Sequence, residues 1–387
     1  MTDIGPIHRK EYEITHSANE RIIIAEAPGR IHYMGDHGQY KDGIFLCSSV
    51  DKTLQVAVSL RKDNSLRFYA ADMGERKRTT LVNLRYKRED RWANFAKIAI
   101  YVFVELGCDV RGMNFTIAGD IPQNISLAAS SAIEIASALV LRRFYLSNLS
   151  DKELLTRLAA AHSEFFENQN YMVDYLCAMN ARKDNFLFID ETTMEVKRIK
   201  NPFSKYKFLL LDSRVPMIDS TNELKSRQRC IDKGLQALNE KRKGGSLKDY
   251  NIADMDDLMG AMNENVRRYT SFVIQEIQRI HEVEKALTEG DKETFSKNLF
   301  HSHEGLRDFF EVSCPEVDWL VKRAQETPDV LGARMTGKGF GGCTYTIVKK
   351  DAIEEYQKRL EDYERIFGFR PIIHEIRPAA AARIVAK

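Results

Sequence analysis

The sequence predicts an α+β protein built as two domains. Its first half begins with strand-like segments and turns to helix only later. Its second half is rich in helix and holds one strand pattern behind a glycine-dense loop. The 387 residues exceed what a single hydrophobic core usually serves.

Taken in order, Arg21–Ala25, Ile44–Ser48 and Leu54–Ser59 alternate apolar runs with turns and are predicted strands. Ser65–Ala70 and Thr79–Val82 continue that pattern. Arg91–Leu106 is a predicted helix whose apolar face carries Phe95, Ile98, Tyr101, Val102 and Val104. A strand at Met113–Ala118 and helices at Ser130–Leu146 and Leu154–Phe166 follow, then strands at Asn185–Ile189 and Tyr206–Leu211. Predicted helices then cover Glu223–Arg242, Asp254–Leu287, Lys292–Phe310, Asp318–Thr327 and Ala352–Phe367, with the glycine loop and its strand between the last two. The join is expected near Asn201–Tyr206, giving domains of residues 1–205 and 206–387. Lys241-Arg242-Lys243-Gly244-Gly245 reads as a solvated surface turn.

Composition excludes several classes. Hydrophobic residues make up 43% and charged residues 29%, ordinary globular usage. A net charge of +2 gives no case for nucleic-acid or membrane partners. No apolar run approaches the about 20 residues of a spanning helix, and the start of the sequence lacks a basic-then-apolar leader pattern. Six cysteines are scattered without CxxC pairing, so neither a disulfide scaffold nor a zinc site is indicated. A reduced, cytoplasmic setting is expected.

Two segments carry chemistry. Met335-Thr336-Gly337-Lys338-Gly339-Phe340-Gly341-Gly342-Cys343 sets four glycines within six residues ahead of an apolar strand. Such a loop can bring backbone amides onto an anion; the alternative is a hairpin turn with a bulge. Far upstream, Gly29-Arg30-Ile31-His32-Tyr33-Met34-Gly35-Asp36-His37 packs Arg, Asp and His between glycines, where small polar ligands can be held by charge-assisted bonds. Together they resemble the third and first motifs of the GHMP small-molecule kinases, in particular the galactokinases. Those motifs read roughly Arg-Met-Thr-Gly-x-Gly-Phe-Gly-Gly-Cys and Gly-Arg-x-Asn-Leu-Ile-Gly-Glu-His-Thr-Asp-Tyr. Trp92-Ala93-Asn94-Phe95-Ala96-Lys97, Ser302-His303 and Phe310-Glu311-Val312-Ser313-Cys314-Pro315-Glu316 are similar to further galactokinase segments in the same order. The resemblance implies a ribosomal-S5-like N-terminal domain and a ferredoxin-like C-terminal domain, with the active site in the cleft between them.

The resemblance also implies ATP and Mg2+. The family's second motif, Ile-Pro-x-Gly-Ala-Gly-Leu-Ser-Ser-Ser-Ala, matches residues 121–131, a loop feeding a helix N-terminus and hence a phosphate site. Asn124 and Ser126 replace its glycines, Ala128 and Ala129 replace two serines, and Ser130 keeps the third. If the loop needs left-handed backbone there, Asn124 tolerates it better than Ser126. Nucleotide contacts are thus expected from Trp92, Phe95, Asn124, Ser126, Ser130, Gly337, Gly339 and Gly341; Trp92 and Phe95 read equally well as core. For the metal, Ser130 and Glu164 are the expected ligands, with Glu167 a further candidate. The family's own glutamate position is occupied by His162, and magnesium favours oxygen.

On the sugar side the resemblance makes Asp174 the catalytic aspartate and Arg30 its partner; the alternative for Asp174 is a helix cap. Asp36, His37 and Gln39 match the sugar-reading Glu, His and Asp, with Lys41 nearby. Asp36 is one methylene short and Gln39 lacks the charge, so a uronic acid or amino sugar becomes a candidate substrate beside galactose. The expectation is a sugar 1-kinase, monomeric or weakly dimeric. The rival is a catalytically weak paralogue that binds sugar or nucleotide as a sensor.

Overall fold

The computed structural model describes residues 3–14, 21–37, 43–122, 125–146, 148–166, 172–216, 220–256, 260 and 262–386. A short helix α1 (Ile4–Glu11) precedes an eight-stranded sheet. Its strands are β1 (Ile22–Met34), β2 (Ile44–Leu60), β3 (Ser65–Ala70), β4 (Glu75–Thr80), β5 (Met113–Gly119), β6 (Asn185–Asp190), β7 (Glu195–Lys200) and, from much later in the chain, β12 (Arg383–Ala386). The order is β12-β1-β2-β5-β3-β4, with β6 pairing with β2, and β7 with β6. Helices α2 (Ala93–Glu105), α3 (Ala129–Tyr145), α4 (Asp151–Phe166) and α5 (Met172–Asn180) belong to this layer; α3 and α5 both pack against β1 and β2. Burial of nearly every residue from Ser131 to Leu141 makes α3 the centre of the core.

The second sheet has the antiparallel order β11-β8-β10-β9, from β8 (Tyr206–Asp212), β9 (Val330–Thr336), β10 (Cys343–Lys349) and β11 (Ile372–Ile376). Helices α6 (Thr221–Lys241), α7 (Ile252–Asp256), α8 (Glu264–Glu289), α9 (Lys292–Glu304), α10 (Pro315–Gln325), α11 (Ile353–Arg359) and α12 (Glu361–Phe367) surround it. The two layers meet at β1: Thr336 Oγ1 donates to His32 O at 3.1 Å, and Tyr345 Oη donates to Tyr33 O at 2.8 Å.

Several elements differ from the sequence expectation. β1 is one strand of 13 residues that continues through Pro28-Gly29. A register shift between Pro28 and Arg30 absorbs the missing proline donor. The single helix expected over Asp254–Leu287 is two, because Asn263 caps α8 by accepting from Val266 N at 2.9 Å. The helix expected to reach Phe310 is regular only to Glu304 and ends in a π-turn over Gly305–Phe309. A Cβ at Gly305 would lie 2.9 Å from the Phe272 ring. Ala352–Phe367 breaks at Leu360 into α11 and α12. The strand expected over Thr79–Val82 is β4 ending at Thr80, followed by a 3-10 turn over Leu81–Asn83, and β7, β9, β11, β12, α1 and α5 lie outside the expected elements.

Candidate active site

Three sequence-distant segments converge where the layers meet. Arg30 N donates to Leu127 O at 3.0 Å, and Arg30 Nη1 donates to Ser126 O at 2.8 Å, so β1 is fastened to the loop that opens α3. The glycine loop reaches the same place. It joins β9 to β10, with Thr336 opposite Cys343, so the hairpin reading of this segment is correct as local geometry. A Cβ on Gly337 would lie 2.5 Å from Ser126 Oγ, so the loop also touches the α3 loop from the opposite layer. Gly337, Gly339, Gly341 and Gly342 all have positive φ, and a Cβ on Gly339 would lie 2.3 Å from Val312 O.

Left-handed backbone in the α3 loop falls on Ala128, at φ 57 and ψ 45, and not on Ser126. Ala128 is the N-cap of α3 and supplies no side-chain cap. An alanine held there costs roughly 1–2 kcal/mol, strain of the kind that gathers at ligand-binding turns. Asn124 lies outside the described residues.

The structure brings Asp174 and Arg30 together. Arg30 Nε donates to Asp174 Oδ1 at 2.6 Å and Nη2 to Oδ2 at 3.2 Å, a two-pronged pair. Ser131 Oγ donates to Oδ2 at 3.1 Å, and His32 Nε2 lies 3.4 Å from Oδ1. Side chains of other elements therefore engage both oxygens, which sets the helix-cap reading aside. Burial pushes the Asp174 carboxyl up, but the charge and bonds of Arg30, with His32, outweigh it and hold the group below the usual carboxylate range. Asp174 is thus an anion already committed to a cation.

Asp36 and His37 are buried beside this pair. Asp36 Oδ2 accepts from Arg334 Nη1 at 2.7 Å, while Oδ1 lies 3.0 Å from His32 Nδ1 and accepts from Gly337 N at 3.3 Å. Burial pushes the Asp36 carboxyl up; Arg334 and then His32 pull it well below its ordinary value. The His37 ring packs 4.8 Å from Phe310, and burial lowers its pKa to about 3, against the opposing charge of Asp36. Gln39 lies outside the described residues, as does Lys41.

A cavity of about 220 Å³ opens beside α3, lined by Trp92, Phe95, Ile117, Ala129, Ser130 and Ile133 among others. Trp92 caps α2 and does not lie within it. Its Nε1 donates to Glu75 Oε2 at 3.0 Å, and Phe95 stacks on Phe166 at 5.4 Å. A flat apolar slot next to a helix N-terminus can take an aromatic base while its phosphates face the helix amides.

The expected metal pair does not converge. Ser130 lines the cavity, but Glu164 is exposed and accepts from Tyr101 Oη at 3.0 Å. Two positions separate Glu164 from His162 on α4, about 200° of helix turn, so it faces away. His162 itself turns inward, its Nδ1 2.8 Å from Glu134 Oε1, and Tyr175 Oη donates to the other Glu134 oxygen. Burial raises the Glu134 pKa against both partners. Among the described residues, no group of three His, Cys, Asp or Glu could hold a metal. Glu167 lies outside them.

Sequence reasoning missed His32, Arg334, Ser131 and Glu134. Two signals were present: His32 stands where the resembled first motif has Asn, and Arg334 begins the third.

Comparison with known proteins agrees along the chain. Residues 8–60 match the galactokinase galactose-binding signature, residues 94–180 the GHMP kinases N terminal domain, and residues 283–365 the GHMP kinases C terminal domain. A Treponema pallidum protein provisionally named a galactokinase is 34% identical over 391 residues, covering 100% of this chain and 97% of its own. Thermotoga maritima galactokinase is 30% identical over 352 residues, covering 91% and 97%. Lactococcus lactis galactokinase, solved with galactose, aligns with a TM-score of 0.89 at 22% identity, over 99% of this chain and 100% of its own. Methanococcus jannaschii mevalonate kinase aligns at 0.66 and 18%, over 94% and 99%. These two structures share the fold of mixed helices and sheets described above. The chain belongs to the GHMP kinases. Within that family its likeness is to the galactokinases, and its enzymatic class is ATP-dependent sugar kinase.

Proposed function

We propose that the chain transfers the γ-phosphoryl group of ATP to the anomeric hydroxyl of galactose or a galactose-like sugar. The observation that carries this reading is the buried Arg30–Asp174 pair at the point where β1, the α3 loop and the glycine loop meet. In this reading the sugar hydroxyl donates to Asp174, which orients its oxygen towards the γ-phosphorus and takes up its proton as the oxygen–phosphorus bond forms and ADP leaves. The cavity at Trp92 and Phe95 takes the adenine, and the start of α3 with the glycine loop takes the phosphates. Magnesium would enter with the nucleotide, Ser130 Oγ being the one oxygen of the expected metal pair that lines the cavity. The six free thiols suit a reducing cytoplasm, and the chain is read as a monomer or weak dimer.

The sugar itself follows from Asp36 and Gln39. Asp36 is shorter than the resembled glutamate, and both its oxygens are engaged. Gln39 carries no charge. Both features weaken the reading of a neutral galactose hydroxyl and favour a modified relative such as a uronic acid or amino sugar. Ala128, Ala129 and His162 favour the second reading, a weakly catalytic sensor. ADP release across galactose, uronic acids and amino sugars separates these. Galactose is expected to be turned over more slowly than one of the others, and Gln39→Asp to shift preference towards galactose. A wild type that prefers galactose overturns the substrate reading; no release with any sugar, despite calorimetric sugar binding, leaves the sensor.

A further inference from the structure

A chain of charged and polar side chains crosses the boundary between the two layers. It starts with Arg30 on β1, passes to Asp174 on α5, and then to the His32 ring on β1. From there it continues through Asp36 to Arg334 on β9. Arg334 is fully buried, and its Nε donates to Ser302 Oγ at 2.8 Å while Nη2 lies 3.4 Å from Glu276 Oε1. Ser302 Oγ in turn donates to Glu276 Oε1 at 2.6 Å. Asp36 also accepts the first amide of the glycine loop, from Gly337.

Among the described residues, the His32 ring lies between the two carboxylates. Its Nδ1 is hydrogen-bonded to Asp36 Oδ1 at 3.0 Å, its Nε2 lies 3.4 Å from Asp174 Oδ1 in a polar contact that lacks hydrogen-bond alignment, and the Phe45 ring packs against it at 5.3 Å. Two buried carboxylates sharing one flat ring are held at fixed separation, because imidazole is rigid and presents nitrogens on opposite edges.

We propose that His32 is a positioning residue for phosphoryl transfer: it links Asp174 to Asp36 and, through Asp36, to Arg334 and Gly337, so that the glycine loop of one layer sets the orientation of the reacting carboxylate in the other. The proposal rests on the sugar-kinase reading above. Positional error of this kind acts on the chemical step and spares ground-state binding.

The test replaces His32 by Leu and by Gln. His32→Leu is expected to lower kcat roughly 10–100-fold, with the KM for sugar within about threefold and calorimetric sugar binding at full stoichiometry. His32→Gln, long enough to donate to one carboxylate, is expected to recover at least half of that loss on a logarithmic scale. An unchanged kcat in His32→Leu overturns the proposal. So does a loss confined to KM, which would make His32 a sugar contact, or a drop in binding stoichiometry, which would make it a folding residue. If the leucine variant does not fold, the ring-nitrogen measurement that follows decides alone, since it leaves His32 in place. Long-range 15N spectra of the His32 ring read the link without any substrate. Asp36→Asn is expected to move the signal of Nε2, the nitrogen facing Asp174, and an unmoved signal overturns the proposal even should the sugar-kinase reading fail.

Discussion

Arg30 holds Asp174 with two guanidinium nitrogens at 2.6 and 3.2 Å, across 144 positions of sequence. The pair fixes the carboxylate twice over, in charge state and in orientation. It also makes Arg30 dependent on Asp174, because an arginine with only 15% of its side chain exposed is costly without its anion.

Asp174→Asn is therefore expected to act on two quantities at once. Turnover should fall by about 10²–10⁴-fold, while sugar affinity measured by calorimetry stays within a few-fold. Stability should drop by about 3 kcal/mol, since Arg30 is left buried beside a neutral amide. Near-normal turnover would remove Asp174 from the reaction.

Two glycines of the third motif should behave differently. Gly339→Ala puts a methyl group 2.3 Å from Val312 O, a backbone atom that cannot step aside. Gly337→Ala meets Ser126 Oγ at 2.5 Å, the mobile end of a side chain. Both also force alanine to φ +89. Gly339→Ala is expected to lower Tm more than Gly337→Ala, and Ser126→Ala should partly relieve the second but not the first. Equal losses unaffected by Ser126→Ala would mean that backbone angle alone sets the cost. From the sequence, bulk at Gly339 is expected to clash with phosphates or to force a disallowed backbone; the structure gives the positive φ and adds a clash with Val312 O.

Much of the fold was legible, and for definite reasons. Apolar patterns located the strand at Ser65–Ala70 and the helix that the structure gives as Ala129–Tyr145, the latter buried on every side through its middle. Breaks escaped the pattern where single side chains impose them: the Asn263 cap lies within a run that still reads as helix. Short edge strands such as Ile372–Ile376 escaped because their partners, not their own pattern, define them. At the site, resemblance named Arg30, Asp174, Asp36 and His37, and the structure gathers all four. Glu164 was chosen for its chemistry next to an uncooperative His162, and helical phase turned it outward. The His32 bridge was invisible because it joins residues from three elements.

Glu164→Gln is accordingly expected to leave the magnesium dependence of turnover within about twofold. The Tyr101–Glu164 bond is exposed, and a surface bond of this kind contributes little. A large rise in the magnesium concentration needed for half-maximal rate would return Glu164 to the metal.

Acid should destabilise the fold in two stages. Burial, with Arg9 adding to it, lowers the His8 pKa to about 3, and burial lowers His37 likewise to about 3. The unfolded chain binds these protons near pH 6.5, so stability falls as pH drops from about 6.5 towards 3, by up to about 1.4 kcal/mol per pH unit for each ring. Asp36 and Asp174, depressed carboxylates, add to the loss only below about pH 4. Denaturant melts from pH 7.5 to 4.5 should show the first stage. His8→Gln, far from the cleft between Thr116 and Ser59, should reduce its slope. A flat profile would mean that the folded rings do take up protons.

The pairing of Arg383–Ala386 with the outer edge of β1 has a consequence for the order of assembly. During synthesis β1 emerges first, yet its neighbour on that side is translated more than 340 residues later. Until then the strand bearing Arg30 and His32 keeps an open edge of unpaired amides, the kind of surface on which nascent chains aggregate. The first sheet therefore closes only after every strand of the second has been made.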